Sequence, residues 1–125
     1  MFRLAEAYLL RAEAYVKQNE FAKAAADINV VRARAKATPC TADEVDMDYI
    51  LDERLREFGI EEKRLLTLQR TGTMYDRIMA HNEYFNDPKN SATGEVFQRK
   101  YTLLPIPLSA IEANKDAVLE QNPEY

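Results

Sequence analysis

AEAYLLRAEAYVKQNEFAKAAADINVVRARAKAT, residues 5–38, decides how this chain folds. At about 100° per residue, Leu4, Ala5, Tyr8, Leu9, Ala12, Tyr15 and Val16 share one broad stripe. Arg3, Glu6, Glu13 and Lys17 gather opposite, with Glu13 and Lys17 in the favourable i,i+4 order. The spacing predicts a helix over residues 2–17. Leu10 falls among the charges as a lone exposed leucine. Asn19 is the expected N-cap of a second helix over residues 20–36. On it, Phe21, Ala24, Ala25, Ile28, Val31 and Ala35 make one apolar stripe, and Ala22, Ala26 and Ala33 make another. Only Lys23, Asp27 and Arg34 remain as a narrow polar strip. A helix apolar on two sides packs on two sides, so this one requires more than its hairpin partner.

Outward from that pair, Pro39 stops the second helix, since proline disfavours helical geometry in the residue before it. Thr41 and Glu44 have the spacing of a capping box. A third helix is expected from about Ala42 or Val45 to Phe58, burying Met47, Leu51, Leu55 and Phe58 and ended by Gly59 at positive φ. A short helix follows over residues 63–70, stopped near Gly72. Another, capped by Thr73 with Asp76, runs to about Phe85. Residues 86–100 are polar and read as a loop. Tyr101 to Pro107 must be extended, because Pro105 and Pro107 prevent a helix. Ser109 and Glu112 resemble a second capping box for a helix to about Asn114. Residues 119–125 form an irregular strap. The expected fold is all-α, a single helical domain over residues 1–125.

The 125 residues suit one domain, and 46% hydrophobic with 30% charged residues reads as globular. A net charge of −4 gives no general attraction for nucleic acid or anionic lipid, so Arg32, Arg34 and Lys36 read as a charged helix face. Cys40 stands alone, which excludes an internal disulfide and a cysteine-based zinc site. It has no apolar segment upstream, unlike a lipid-attachment cysteine. No apolar run approaches the ~18 residues of a membrane span, and residues 1–6 read as the start of an amphipathic helix, without resemblance to a signal peptide. These features leave a cytoplasmic protein or a piece of something longer.

The residue 5–38 pair has the 34-residue length of a tetratricopeptide repeat and resembles it in spacing. Tyr8 and Tyr15 take large aromatic positions, Ala12 and Ala24 the small ones where helices touch, and Phe21 and Ile28 bulky ones. Pro39 lies one residue past the usual closing proline. Arg11 stands where an apolar residue is expected. Five ordered blocks resemble the C-terminal region of the SusD/RagB family. They are residues 3–15, 28–35, 50–57 and 64–72, then the ending with Leu104-Pro-Ile-Pro107, Ile111, Asn114 and Gln121-Asn-Pro-Glu-Tyr125. The aromatic and aspartate usual near Leu66 and Thr67 are missing, as is the glycine usual at Glu124.

The resemblance implies a tetratricopeptide-like helical scaffold with a long loop and a Pro-rich C-terminal strap. It implies a longer parent, lipid-anchored on the outer membrane of Bacteroidetes. That parent would capture oligosaccharides or other nutrients beside a TonB-dependent, SusC-like transporter. The alternative is a tetratricopeptide-like adaptor that binds a protein partner.

No catalytic residue, metal ligand or cofactor is expected. The densest charges are Asp52, Glu53, Arg54, Arg56, Glu57, Glu61, Glu62, Lys63 and Arg64. Glu53 and Glu57 stand one helical turn apart, as two hydrolytic carboxylates could. The arginines near them in sequence favour the charged form, whereas an acid catalyst needs a raised pKa. A structural ion-pair network of Glu53, Arg54, Glu57, Arg64 and Arg70 is expected instead, with Arg64 or Arg70 bridging to Glu53 or Glu57. Aromatic faces are the usual platforms for sugars. Tyr8 and Tyr15 read as core, which leaves Tyr75, Tyr84 and Phe85 beside the polar loop as ligand-binding candidates. His81 reads as a solvated helix residue. An isolated chain of this kind is expected to expose apolar surface and self-associate.

Overall fold

Helices α1 (Leu4–Lys17) and α2 (Phe21–Arg34) form an antiparallel hairpin in the computed structural model, which describes residues 3–125. The expected first helix began at Phe2, which lies outside the described residues. Among the described residues there are seven α-helices and no strand. The packing falls into two units, divided between Lys63 and Arg64.

In the first unit the hairpin closes on small side chains. Ala12 and Ala24 are fully buried, and with Leu9 and Ile28, also fully buried, they bring the two helix backbones close. Val31, Val45, Ile50 and Phe58 extend the same core, while Tyr8 and Tyr15 pack partly against it. Each fully buried Leu or Ile contributes roughly 1.5–3 kcal/mol relative to an exposed one.

Asn19 does something other than the sequence suggests. It adopts φ 60°, and the Asn19 and Glu20 amides bond back to the Val16 and Tyr15 carbonyls. That pattern satisfies the last carbonyls of α1, so Asn19 ends α1 and does not cap α2. Asparagine suits both tasks because its short polar side chain tolerates left-handed backbone. Lys36 closes α2 in the same way at φ 55°, with Lys36 and Ala37 amides on the Ala33 and Arg32 carbonyls.

The Thr41–Glu44 box forms, but it caps the 3-10 turn Ala42–Glu44. Helix α3 (Met47–Phe58) starts later, where Asp46 accepts the Tyr49 amide at 2.7 Å. Its buried face is rotated from expectation. Ile50, Leu51 and Phe58 are buried together with Glu53 and Arg54, whereas Leu55 is 49% exposed and Met47 is partly exposed. Ion pairs, described below, make the charged burial possible. Gly59 ends α3 at φ 50°, and a 3-10 turn follows (Gly59–Glu61).

On α2 the second apolar stripe stays uncovered. Ala22, Ala26 and Ala33 are exposed, and Val30 between them is 47% exposed. Asp27, assigned by pattern to the polar strip, is buried. Arg11 explains this: its Nε and terminal nitrogen each donate to an Asp27 oxygen at 2.7 Å. Above the hairpin, the Asn29 side-chain amide donates to the Cys40 carbonyl at 2.9 Å and accepts the Cys40 amide at 2.8 Å. One side chain thereby supplies the pairing that a strand neighbour would give the extended segment after Pro39.

In the second unit, α4 (Arg64–Thr71) is followed by α5 (Met74–His81) and α6 (Glu83–Asn86). The single helix expected to reach Phe85 is broken at Asn82, which leaves helical geometry and accepts the Tyr84 amide with its side chain. Thr73 gives no side-chain cap. Irregular chain runs over residues 87–98, then a 3-10 turn (Arg99–Thr102) takes in Tyr101 and Thr102, which were expected to be extended. Helix α7 (Leu108–Ala113) opens at Pro107 without the Ser109 box. Ser109 already lies within the helix, so it is not in the capping position.

The C-terminal strap is held by side chains. Gln121 accepts the Ile106 amide at 2.7 Å and donates to the Ile106 carbonyl at 2.8 Å. Asn122 and the Tyr125 hydroxyl donate to the Leu104 and Leu103 carbonyls.

Candidate functional site

Two clusters carry chemistry, one in each unit. In the first, α3 presents Glu53, Arg54 and Glu57, all with nearly buried side chains. Glu53 Oε2 accepts from Arg32 at 2.7 Å and from two nitrogens of Arg56 at 2.8 and 3.0 Å. Glu57 accepts from Arg3 at 2.9 Å and from Arg34 at 2.7 Å, while Arg3 also donates to the Glu57 main-chain carbonyl. Arg54 pairs with Glu62 at 2.5 Å, and Glu13 and Glu6 lie 3.5 and 3.9 Å away. The lattice ties α1 and α2 to α3.

Arg64 and Arg70 stand on α4 in the second unit. The partners of Glu53 and Glu57 are Arg3, Arg32, Arg34 and Arg56, all of the first unit. The hairpin folds back over α3 and brings Arg3, Arg32 and Arg34 to join Arg56, which is near in sequence. The run Arg32, Arg34, Lys36 was the visible signal: two of its three members are lattice residues.

Arg32 also donates to the Thr38 carbonyl at 2.6 Å. Burial opposes its charge, yet the hydrogen bond and charge of Glu53 hold its pKa above the ordinary arginine value. Burial pushes the Cys40 thiol up and likewise the Tyr49 phenol. Beside the lattice, Arg32, Tyr49, Glu53 and Arg56 border an open cleft of about 450 Å³.

In the second unit, Phe97 gathers the aromatic rings. Its centroid lies 6.3 Å from Tyr75, 6.1 Å from Phe85 and 5.7 Å from Tyr101. The Phe97 amide donates to the Phe85 carbonyl at 2.7 Å, and the Arg99 guanidinium sits 4.2 Å over the Tyr75 ring. The structure thus brings Tyr75 and Phe85 together. Tyr84 makes no ring contact and is 74% exposed. Sequence reading missed Phe97 and Tyr101; the signal was an isolated phenylalanine inside a polar loop. His81 is exposed.

Among the described residues no group of His, Cys, Asp and Glu could hold a metal ion. No described helix is long and apolar enough to cross a membrane.

The first unit holds one tetratricopeptide-like helical hairpin, closed on small residues and braced by buried ion pairs. The family model for the SusD family matches residues 1–125, and the chain belongs to that family. It is 38% identical over 126 residues to the starch-binding protein SusD of Bacteroides thetaiotaomicron. The match covers 100% of this chain and 21% of that relative, so the chain spans about a fifth of its length. No solved structure matches the chain.

Proposed function

We propose that these residues are helical scaffold of a longer protein that captures oligosaccharide nutrients at the cell surface without cleaving them. The observation that carries this reading is the end-to-end similarity to a relative named for binding starch. The parent protein would be lipid-anchored at the outer membrane and work with a TonB-dependent, SusC-like transporter, as the family resemblance implies. The ion-pair lattice supports a scaffold role: each carboxylate of the Glu53–Glu57 pair is engaged by two arginines, as struts between helices. Tyr75, Tyr84 and Phe85 remain the candidate sugar contacts, with Phe97 packed against Tyr75 and Phe85. The adaptor alternative needs several stacked repeats to shape a peptide groove. One hairpin of that type, α1–α2, is present in the first unit.

A glycan array probed with the natural gene product that contains these residues tests the proposal. Retention on neutral oligosaccharides is the expected result. Binding to protein partners alone, with no glycan retained, would overturn it in favour of the adaptor.

A further inference from the structure

The cleft in the first unit shares Arg32, Glu53, Arg56 and Glu57 with the lattice, and its chemistry is specific. Glu53 is 5% exposed, yet all three guanidinium bonds fall on Oε2 and none on Oε1. Arg56 commits only Nε and one terminal nitrogen to Glu53, and its side chain is half exposed. An arginine carries five N–H donors, so Arg56 keeps spare donors and Glu53 keeps an oxygen without a guanidinium bond, both residues lining the same cleft. That is the complement of adjacent hydroxyl groups, each of which both donates and accepts.

The remaining wall is apolar. The Tyr49 ring and the methyl groups of Ala35 and Ala37 line the same space, which suits the C–H face of a sugar ring. The volume of about 450 Å³ admits a single pyranose unit with room for its neighbour. Charge decides what kind. Two arginines and two glutamates, Glu53 and Glu57, border the cleft, so its lining sums to zero. The unengaged Glu53 oxygen would repel a carboxylate, sulfate or phosphate. The walls are also fixed beforehand, since Arg32 is anchored to Thr38 and Glu53, which lowers the entropy cost of binding.

We infer that this cleft is a subsite for a neutral hexopyranose unit, built from residues other than the aromatic cluster around Phe97. The inference rests on the glycan-capture reading above and assigns it a location in this chain.

Amide shifts of the isotope-labelled 125-residue chain, titrated with glucose, maltose and glucuronate, test it. Saturable shifts at Ala35, Ala37 and Tyr49 with glucose and maltose are expected, with glucuronate at least about fivefold weaker. Arg56→Met should weaken binding about tenfold, the scale of one charge-assisted hydrogen bond. Arg56→Lys, which keeps the charge and loses the planar fork, should also weaken it, and serves if the methionine variant misfolds. Lys17→Ala, at the end of α1 and outside the cleft lining, should change nothing. Shifts with glucuronate alone, shifts confined to Tyr75, Phe85 and Phe97, or no shifts at all would each overturn the subsite. Glycan retention by the natural gene product alongside a silent cleft removes the subsite and leaves the proposed function standing.

Discussion

Arg11 occupies a position where the repeat spacing calls for an apolar residue, and Asp27 makes the exception tolerable. Asp27 is 6% exposed and has Arg11 as its partner, bound through both oxygens. Removing one partner strands a buried charge, whereas removing both removes the penalty as well. Arg11→Leu should therefore lower the urea midpoint, because it leaves Asp27 buried without its partner. The double variant Arg11→Leu with Asp27→Leu should recover most of that loss. Additive losses in the double variant would contradict this account.

Glu44 gives a second test on this scale. The Thr41 amide, helped by the Thr41 hydroxyl, holds the Glu44 carboxyl below the usual range. A lowered folded pKa means the stabilisation is present above the ordinary carboxylate value and lost as pH falls through the folded one. Glu44→Gln should thus lower the melting temperature at neutral pH, and the gap should close as pH drops from about 5 to below 3. A gap independent of pH would show that the bond contributes nothing through charge.

Among the elements, the two amide clasps are the least expected devices. Asn29 holds the segment at Cys40 and Gln121 holds the strap at Ile106, each by one donated and one accepted bond. Gln121→Ala should speed hydrogen exchange at the Ile106 amide by at least about tenfold, leaving amides within α1 unchanged. Unchanged exchange at Ile106 would mean the strap is held by something else.

The helices themselves were legible because their apolar periodicity is long and regular. What the pattern concealed was local chemistry with two meanings. Asn19 could cap a helix or end one, and only the backbone path shows that it ends α1. Ser109 has a box spacing it does not use, because the helix begins at Leu108 and Ser109 already lies inside it. The lattice partners were hidden for another reason. Arg3, Arg32 and Arg34 reach Glu53 and Glu57 across more than twenty residues, and spacing along one helix carries no trace of that. Of the aromatic cluster around Phe97, Tyr75 and Phe85 were visible beside the loop, but Phe97 had no periodic neighbour to announce it.

At the scale of the whole molecule, apolar surface is left over. In the first unit Ala22, Ala26 and Val30 make an exposed stripe on α2, and Leu4 is 73% exposed. In the second unit Leu104, Leu108 and Val118 are largely exposed. Patches of this kind are covered in a longer protein or in an assembly. Light scattering on the 125-residue chain should show an average mass that rises with concentration. A constant monomer mass would mean these faces need no cover.

The central claim is that this SusD-family chain is scaffold for a protein that holds glycans without cutting them. Affinity electrophoresis of the natural gene product, in gels with and without soluble neutral polysaccharide, measures this most directly when paired with a reducing-end assay. The account predicts retarded migration in at least one polysaccharide gel and no new reducing ends. Unretarded migration in every gel, or release of reducing ends, would contradict it.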